Sequence, residues 1–233
     1  MNEKIQAETA SETSKRLKKI VPTKIELAQM EAFTGLTLAQ IYIPATQTEF
    51  KQASDEIMAA GIVGFDTESR PTFVTGDVSE GPHVVQFALH NKAFLFQLHH
   101  SECLPSLGKL LQSQALLKVG FGLKSDYRHI RTKLGVQLGG VVDLNTVFSM
   151  MCYPKEIGVR SAVGVVFKQR FAKSRKVTTS NWSQPQLSSP QILYAANDAY
   201  AALRVLEALN LPSETLPIMN SPLEMATPQQ EQS

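Results

Sequence analysis

The 233-residue chain has only two cysteines, Cys103 and Cys152, and neither forms a CxxC pair or lies at zinc-ligand spacing from paired histidines. A disulfide framework is thereby excluded, and a reducing, cytoplasmic setting is expected. Long apolar runs are also missing, since no window approaches the ~20 apolar residues needed to span a bilayer. The N-terminal MNEKIQAETASETSKRLKK has no apolar stretch of the kind a secretory signal carries, so neither a leader nor a membrane association is expected. Charge is sparse at 19% and nearly balanced at +2, an excess too weak to argue by itself for a nucleic-acid partner, so the distribution of charge must decide. Against these absences stands a 43% hydrophobic content, enough for one α/β domain with a full core.

The ends differ in composition from the middle. Residues 1–39 read as a basic, polar extension, with Lys15, Arg16, Lys18 and Lys19 in a mobile arm. Thr23 and Glu26 form a capping box there, and Leu27, Met30 and Phe33 have helical spacing up to Gly35. Residues 212–233, rich in proline and polar side chains, read as a disordered tail. The intervening residues 40–211 form the expected domain. Within it, 62–66, 83–89 and 93–98 are β-prone runs, the last two joined as a hairpin, and 116–121 and 141–142 are buried strands each followed by a helical pattern. Strands grouped first and helices interleaved later imply a mixed sheet with helices on its faces.

Acidic residues occur at informative places. Asp66 and Glu68, two apart on an extended chain, face the same side, although a solvated strand end explains a lone Asp-x-Glu as well. In VGFGLKSDYRHI the glycines at 120 and 122 permit a tight strand-to-helix passage, and Asp126 emerges in the first helical turns, where a helix-dipole role is the plain alternative. In LSSPQILYAANDAYAALRVLEAL, Ser188 and Gln191 make a capping box, Pro190 suits the first turn, and Tyr194 and Asp198 share a helix face. Four carboxylates converging on one site repel one another, and a pair of divalent cations is the usual reason for them to coexist. Hard oxygen donors without a His/Cys cluster point to Mg²⁺ or Mn²⁺, and two such ions suit phosphodiester hydrolysis.

DTE at 66–68, GFGLKSD at 120–126, and SNW at 180–182 followed by QILYAANDAYAAL together resemble the DEDDy family of 3′–5′ exonucleases. The resemblance spans roughly residues 40–209. It is nearest the Werner-syndrome-type exonuclease domain, with ribonuclease D more distant. It implies a ribonuclease H-like α/β fold, a five-stranded mixed sheet flanked by helices. It also implies metal binding by Asp66, Glu68, Asp126 and Asp198, and a water-orienting role for Tyr194. Thr67 and Lys176 are the expected substrate contacts. Ser69 stands where many members of the resembled family, especially those near ribonuclease D, carry tryptophan, so different contacts near the terminal nucleotide are expected.

From Lys155 to Lys176 seven basic residues face one acid, Glu156, so the positive charge is concentrated where the family places the approach to the cleft. Trp182 is read as packing under the active-site helix, Asp143 as a helix N-cap, and His99 and His100 as turn or surface residues. The resemblance implies an enzyme that removes nucleoside monophosphates from the 3′ ends of DNA or RNA, with DNA somewhat favoured. A non-catalytic nucleic-acid-binding or partner-docking module that kept the fold is the competing reading. The intact acids and Tyr194 argue against it, and an RNA trimmer is a weaker third.

Overall fold

The computed structural model describes residues 18–72 and 80–219. Most of the expected mobile arm, and the expected tail from residue 220 on, lie outside the described residues. Nine strands and eight α-helices follow one another along the described residues. They are α1 (Lys24–Gln29), β1 (Glu31–Ala32), β2 (Ile41–Tyr42), α2 (Gln47–Ala60), β3 (Ile62–Glu68), β4 (Val84–Ala88), β5 (Ala93–Gln97), α3 (Leu104–Gln112) and β6 (Leu117–Gly120). There follow α4 (Lys124–Leu134), β7 (Val141–Asp143), α5 (Leu144–Met150), α6 (Gly158–Phe167), β8 (Gln169–Arg170), α7 (Arg175–Thr178), α8 (Ser189–Leu209) and β9 (Ile218–Met219).

The main sheet has the order β2-β5-β4-β3-β6-β7-β9. β3, β4 and β5 form the expected antiparallel meander, and β6 and β7 continue parallel to β3. These five strands match the mixed sheet anticipated from the sequence. The sheet nevertheless has seven strands, because β2 and β9 add two residues each at the edges, and two residues carry no readable periodicity. β9 pairs antiparallel with β7, and Met219 packs on the core. This corrects the expectation of a tail starting at residue 212, since the ordered chain continues to at least Met219.

Strand alternation divides the core. Val63 and Phe65 of β3, with Val85 and Phe87 of β4, face Phe50, Ile57, Leu107 and Ile130 of α2, α3 and α4. Phe65 and Phe87 lie 5.4 Å apart, and full burial of each such ring contributes about 1.5–3 kcal/mol. The opposite face packs on α5, α6 and α8. Helix α8 opens on the expected Ser188–Gln191 capping box with Pro190 in its first turn, and α2 opens on Thr46–Glu49. Each box stabilises its helix by about 1 kcal/mol. The fully buried Lys118 of β6 donates to the carbonyls of Leu110, Ser113 and Leu116 at 2.8–3.0 Å and so ties the end of α3 to the sheet. No described helix is long and apolar enough to cross a membrane.

The capping box of α1 forms as expected, but the helix stops at Gln29 rather than running on towards Gly35. Residues 31–32 are instead drawn into a parallel pair with β8, so a tertiary partner overrides the local helical spacing.

Candidate active site

β3 lies at the centre of the sheet, and its alternation aims the site. Gly64, Asp66 and Glu68 face α8, whereas Val63, Phe65 and Thr67 face α4. At Gly64 a Cβ would fall 1.9 Å from the carbonyl oxygen of Ala199, so glycine allows the α8 backbone to lie directly on the strand. Asp198, the neighbour of Ala199, is thereby delivered beside Asp66 and Glu68. Carboxylate oxygens of these three residues all lie within 4.8 Å of one another, the arrangement of a group able to hold a metal ion.

Asp126 reaches the site differently. Gly122 has φ +69°, which turns the chain out of β6 and into α4. The Asp143 carboxylate fixes that turn by accepting from the backbone N–H groups of Gly122 and Leu123, each at 3.0 Å. It also accepts from Asn145 as the N-cap of α5, the role expected from the sequence. Asp126 stands just outside the tight group of three, and its carboxylate accepts the Thr67 hydroxyl. Thr67 was anticipated as a substrate contact; its side chain faces α4 and is spent on holding Asp126.

Tyr194 and Asp198 lie one turn apart on α8. The Tyr194 hydroxyl accepts from Thr178 Oγ1 at 3.1 Å, and its ring packs 5.9 Å from that of Trp182. The Trp182 indole donates to the Thr178 carbonyl and is buried, which makes it a packing residue as expected. Lys173 is the residue that the sequence-derived site omitted. It lies within the basic run, but the loop between β8 and α7 brings its ammonium 2.8 Å from Asp198 Oδ2 and 5.2 Å from the centre of the Tyr194 ring. Lys176 projects from α7 as an exposed side chain. His99 and His100 sit in the turn after β5 with ring centres 4.0 Å apart, and neither belongs to the acidic group.

The electrostatics reflect crowding of like charge. Burial, reinforced by Asp66 and Asp198, pushes the Glu68 carboxyl up to about 10. Burial also raises Asp66 well above the ordinary range, with Asp126 and Asp198 adding to it and Lys173 opposing. Asp126 and Asp198 are raised by burial too, the first moderated by the Thr67 hydroxyl and the second by the Lys173 ammonium. Carboxyls placed this way cannot all ionise without added positive charge. Asp198 Oδ1 is buried and has no hydrogen-bond partner, so one acceptor stands ready for a cation. Oxygen donors of this kind suit a hard divalent metal.

Comparison with known proteins agrees with this geometry. A family model described as 3′–5′ exonuclease matches residues 41–212. The mouse bifunctional 3′–5′ exonuclease/ATP-dependent helicase WRN is 29% identical over 173 residues, 70% of this chain and 12% of that protein. A 3′–5′ exonuclease of Arabidopsis thaliana is 30% identical over 149 residues, 63% of this chain and 52% of the relative. The chain thus matches at most about half the length of these two relatives. Among solved structures, Trypanosoma brucei ribonuclease D in complex with RNA U12 superposes with a TM-score of 0.66 at 19% identity, covering 79% of this chain and 67% of that one. The family model spans most of the sequence and includes all four acids and Tyr194, and the fold is the ribonuclease H-like one the motifs implied: the chain belongs to the 3′–5′ exonuclease family.

Proposed function

We propose that the protein hydrolyses phosphodiesters from the 3′ end of nucleic acid, releasing nucleoside monophosphates one at a time. The observation that carries this reading is the meeting of Asp66, Glu68 and Asp198 carboxylate oxygens within 4.8 Å of one another, with Tyr194 one turn before Asp198 on the same helix. Asp66, Glu68, Asp126 and Asp198 would hold two divalent cations, Mg²⁺ or Mn²⁺. When bound, such ions lower the pKa of water and neutralise charge on the leaving oxygen.

The side chains divide the remaining work. Burial holds the Tyr194 phenol protonated at neutral pH, so it orients water by hydrogen bonding and does not act as a base. Thr178 and Trp182 fix that phenol in place. Thr67 fixes Asp126. The Lys173 ammonium, held above its ordinary pKa by Asp198 and Tyr194 against the cost of burial, keeps a positive charge beside Asp198, where it would attract the phosphate of a bound strand.

The Werner-type motifs favour DNA ends. The likeness in fold to a ribonuclease D in complex with RNA supports a second reading, trimming of RNA. The test uses 5′-labelled DNA and RNA oligonucleotides, single-stranded and 3′-recessed, with and without Mg²⁺ or Mn²⁺, beside an Asp66→Ala control. A metal-dependent ladder shortening from the 3′ end, absent in the control and faster on DNA, is expected. Faster cleavage of RNA would select the trimmer, and binding with no ladder under any metal would contradict the hydrolase.

A further inference from the structure

Residues 21–36 precede the stretch matched by the family model and cross the domain as a strap. The strap is fastened at two points, on α8 and on β8. The Asn197 amide, adjacent to Asp198, accepts from the Leu36 N–H at 2.6 Å and donates to the Leu36 carbonyl at 3.2 Å. At its other edge, β1 pairs with β8 and the Phe33 N–H donates to the Arg170 carbonyl at 3.0 Å, three residues before Lys173.

Between strap, α6, α7 and α8 lies a cavity of about 880 Å³. Leu27, Phe33, Phe171 and Leu193 supply apolar and aromatic surface, and Lys24, Arg160, Arg170 and Lys173 supply four cations. None of the lining residues is a carboxylate. Lys24 and Arg170 are exposed and enter no ion pair among the described residues. Tyr194 and Lys173 belong to both the cavity and the catalytic cluster, so the two spaces share a wall.

We propose that this cavity is an accessory nucleotide subsite, taking one nucleotide of the substrate strand beyond the residue being removed, its base on the half-buried surface of Leu27, Phe33 and Leu193 and its phosphate on Arg170 and Lys24. The inference rests on the hydrolase reading above. Aromatic surface paired with cations is the chemistry of single-strand nucleic-acid binding, and the volume is that of a small-ligand pocket. A purely apolar ligand would leave Lys24 and Arg170 without a counterpart, and a lone anion would leave the apolar floor uncovered.

The test uses the full chain and two probes. A 12-nucleotide 5′-fluorescein DNA or RNA measures binding by anisotropy in chelator, and the p-nitrophenyl ester of thymidine 5′-monophosphate reports hydrolysis confined to a single nucleotide. Lys24→Glu with Arg170→Glu, and separately Ala28→Trp, which fills the cavity from the exposed face of α1, are each expected to raise the oligonucleotide Kd at least tenfold. The ratio of kcat/KM on oligonucleotide to that on ester should fall by a similar factor. Charge reversal at Lys51 and Lys109 on α2 and α3 should shift Kd less than twofold. A shift under twofold in both cavity variants, with the ratio unchanged, would overturn the subsite. If the wild type cleaves neither probe, the hydrolase reading fails, and the binding arm then decides the cavity alone.

Discussion

On one side of the cleft, Asp66 and Glu68 leave the central strand of a seven-stranded sheet and Asp198 leaves a 21-residue helix that lies directly against it. On the other side, Lys173 sits in a loop between a two-residue strand and a four-residue helix, steadied by a strap from the N-terminal side. The acidic wall is thus held by the core of the fold, and the basic wall by short elements that depend on distant partners. Charge that must be placed closely, against its own repulsion, is built on rigid elements. The positive charge proposed to meet a substrate strand is carried on a loop, where variation costs the core little.

Removing a member of the acidic wall should therefore have the largest effect. Asp198→Ala should lower kcat by about 10³-fold or more while leaving the circular dichroism spectrum native. Undiminished turnover in a well-folded variant would break the comparison. Next, Tyr194→Phe keeps the ring that packs on Trp182 and removes only the hydroxyl. It should cost about 10²-fold in kcat with little change in KM, as measured by steady-state digestion of a labelled oligonucleotide. A change in KM alone would move Tyr194 to the substrate-binding side.

The basic wall should answer more weakly. Lys173→Met should reduce kcat/KM about tenfold, the size of one charge-assisted hydrogen bond. A loss as large as that of Asp198→Ala would show that the two walls act as one unit. A separate effect concerns stability without metal. Because folding raises the Glu68 pKa from its ordinary value to about 10, the native state holds the proton more tightly than the unfolded chain. The associated stability is present in full below about pH 4.5 and is lost as pH rises towards about 10. In chelator, urea denaturation between pH 5 and 9 should show stability falling with pH, and Glu68→Gln should flatten the fall. A slope that is the same in both proteins would place the titration elsewhere.

The acidic wall was also the part legible in the sequence. Asp66 with Glu68 follows from strand alternation, Tyr194 with Asp198 from helix spacing, and the β4–β5 hairpin from two β-prone runs around a polar turn. What the sequence concealed depends on contacts between residues far apart in the chain. Thr67 meets Asp126 across 59 positions, and Asn197 clasps Leu36 across 161. Lys173 was only one of several cations in a basic run until the fold set it on Asp198. The pairs formed by β1, β8 and β9 involve two residues each, too short for a period to show.

The central claim is that the buried carboxylates form a centre for two divalent cations. Titration of the chain with Mn²⁺, followed by electron paramagnetic resonance, tests it without reliance on turnover. Two ions bound per wild-type chain, with at least one lost in Asp198→Ala, is the result the account predicts. No bound Mn²⁺, or binding unaffected by the loss of Asp198, would contradict it.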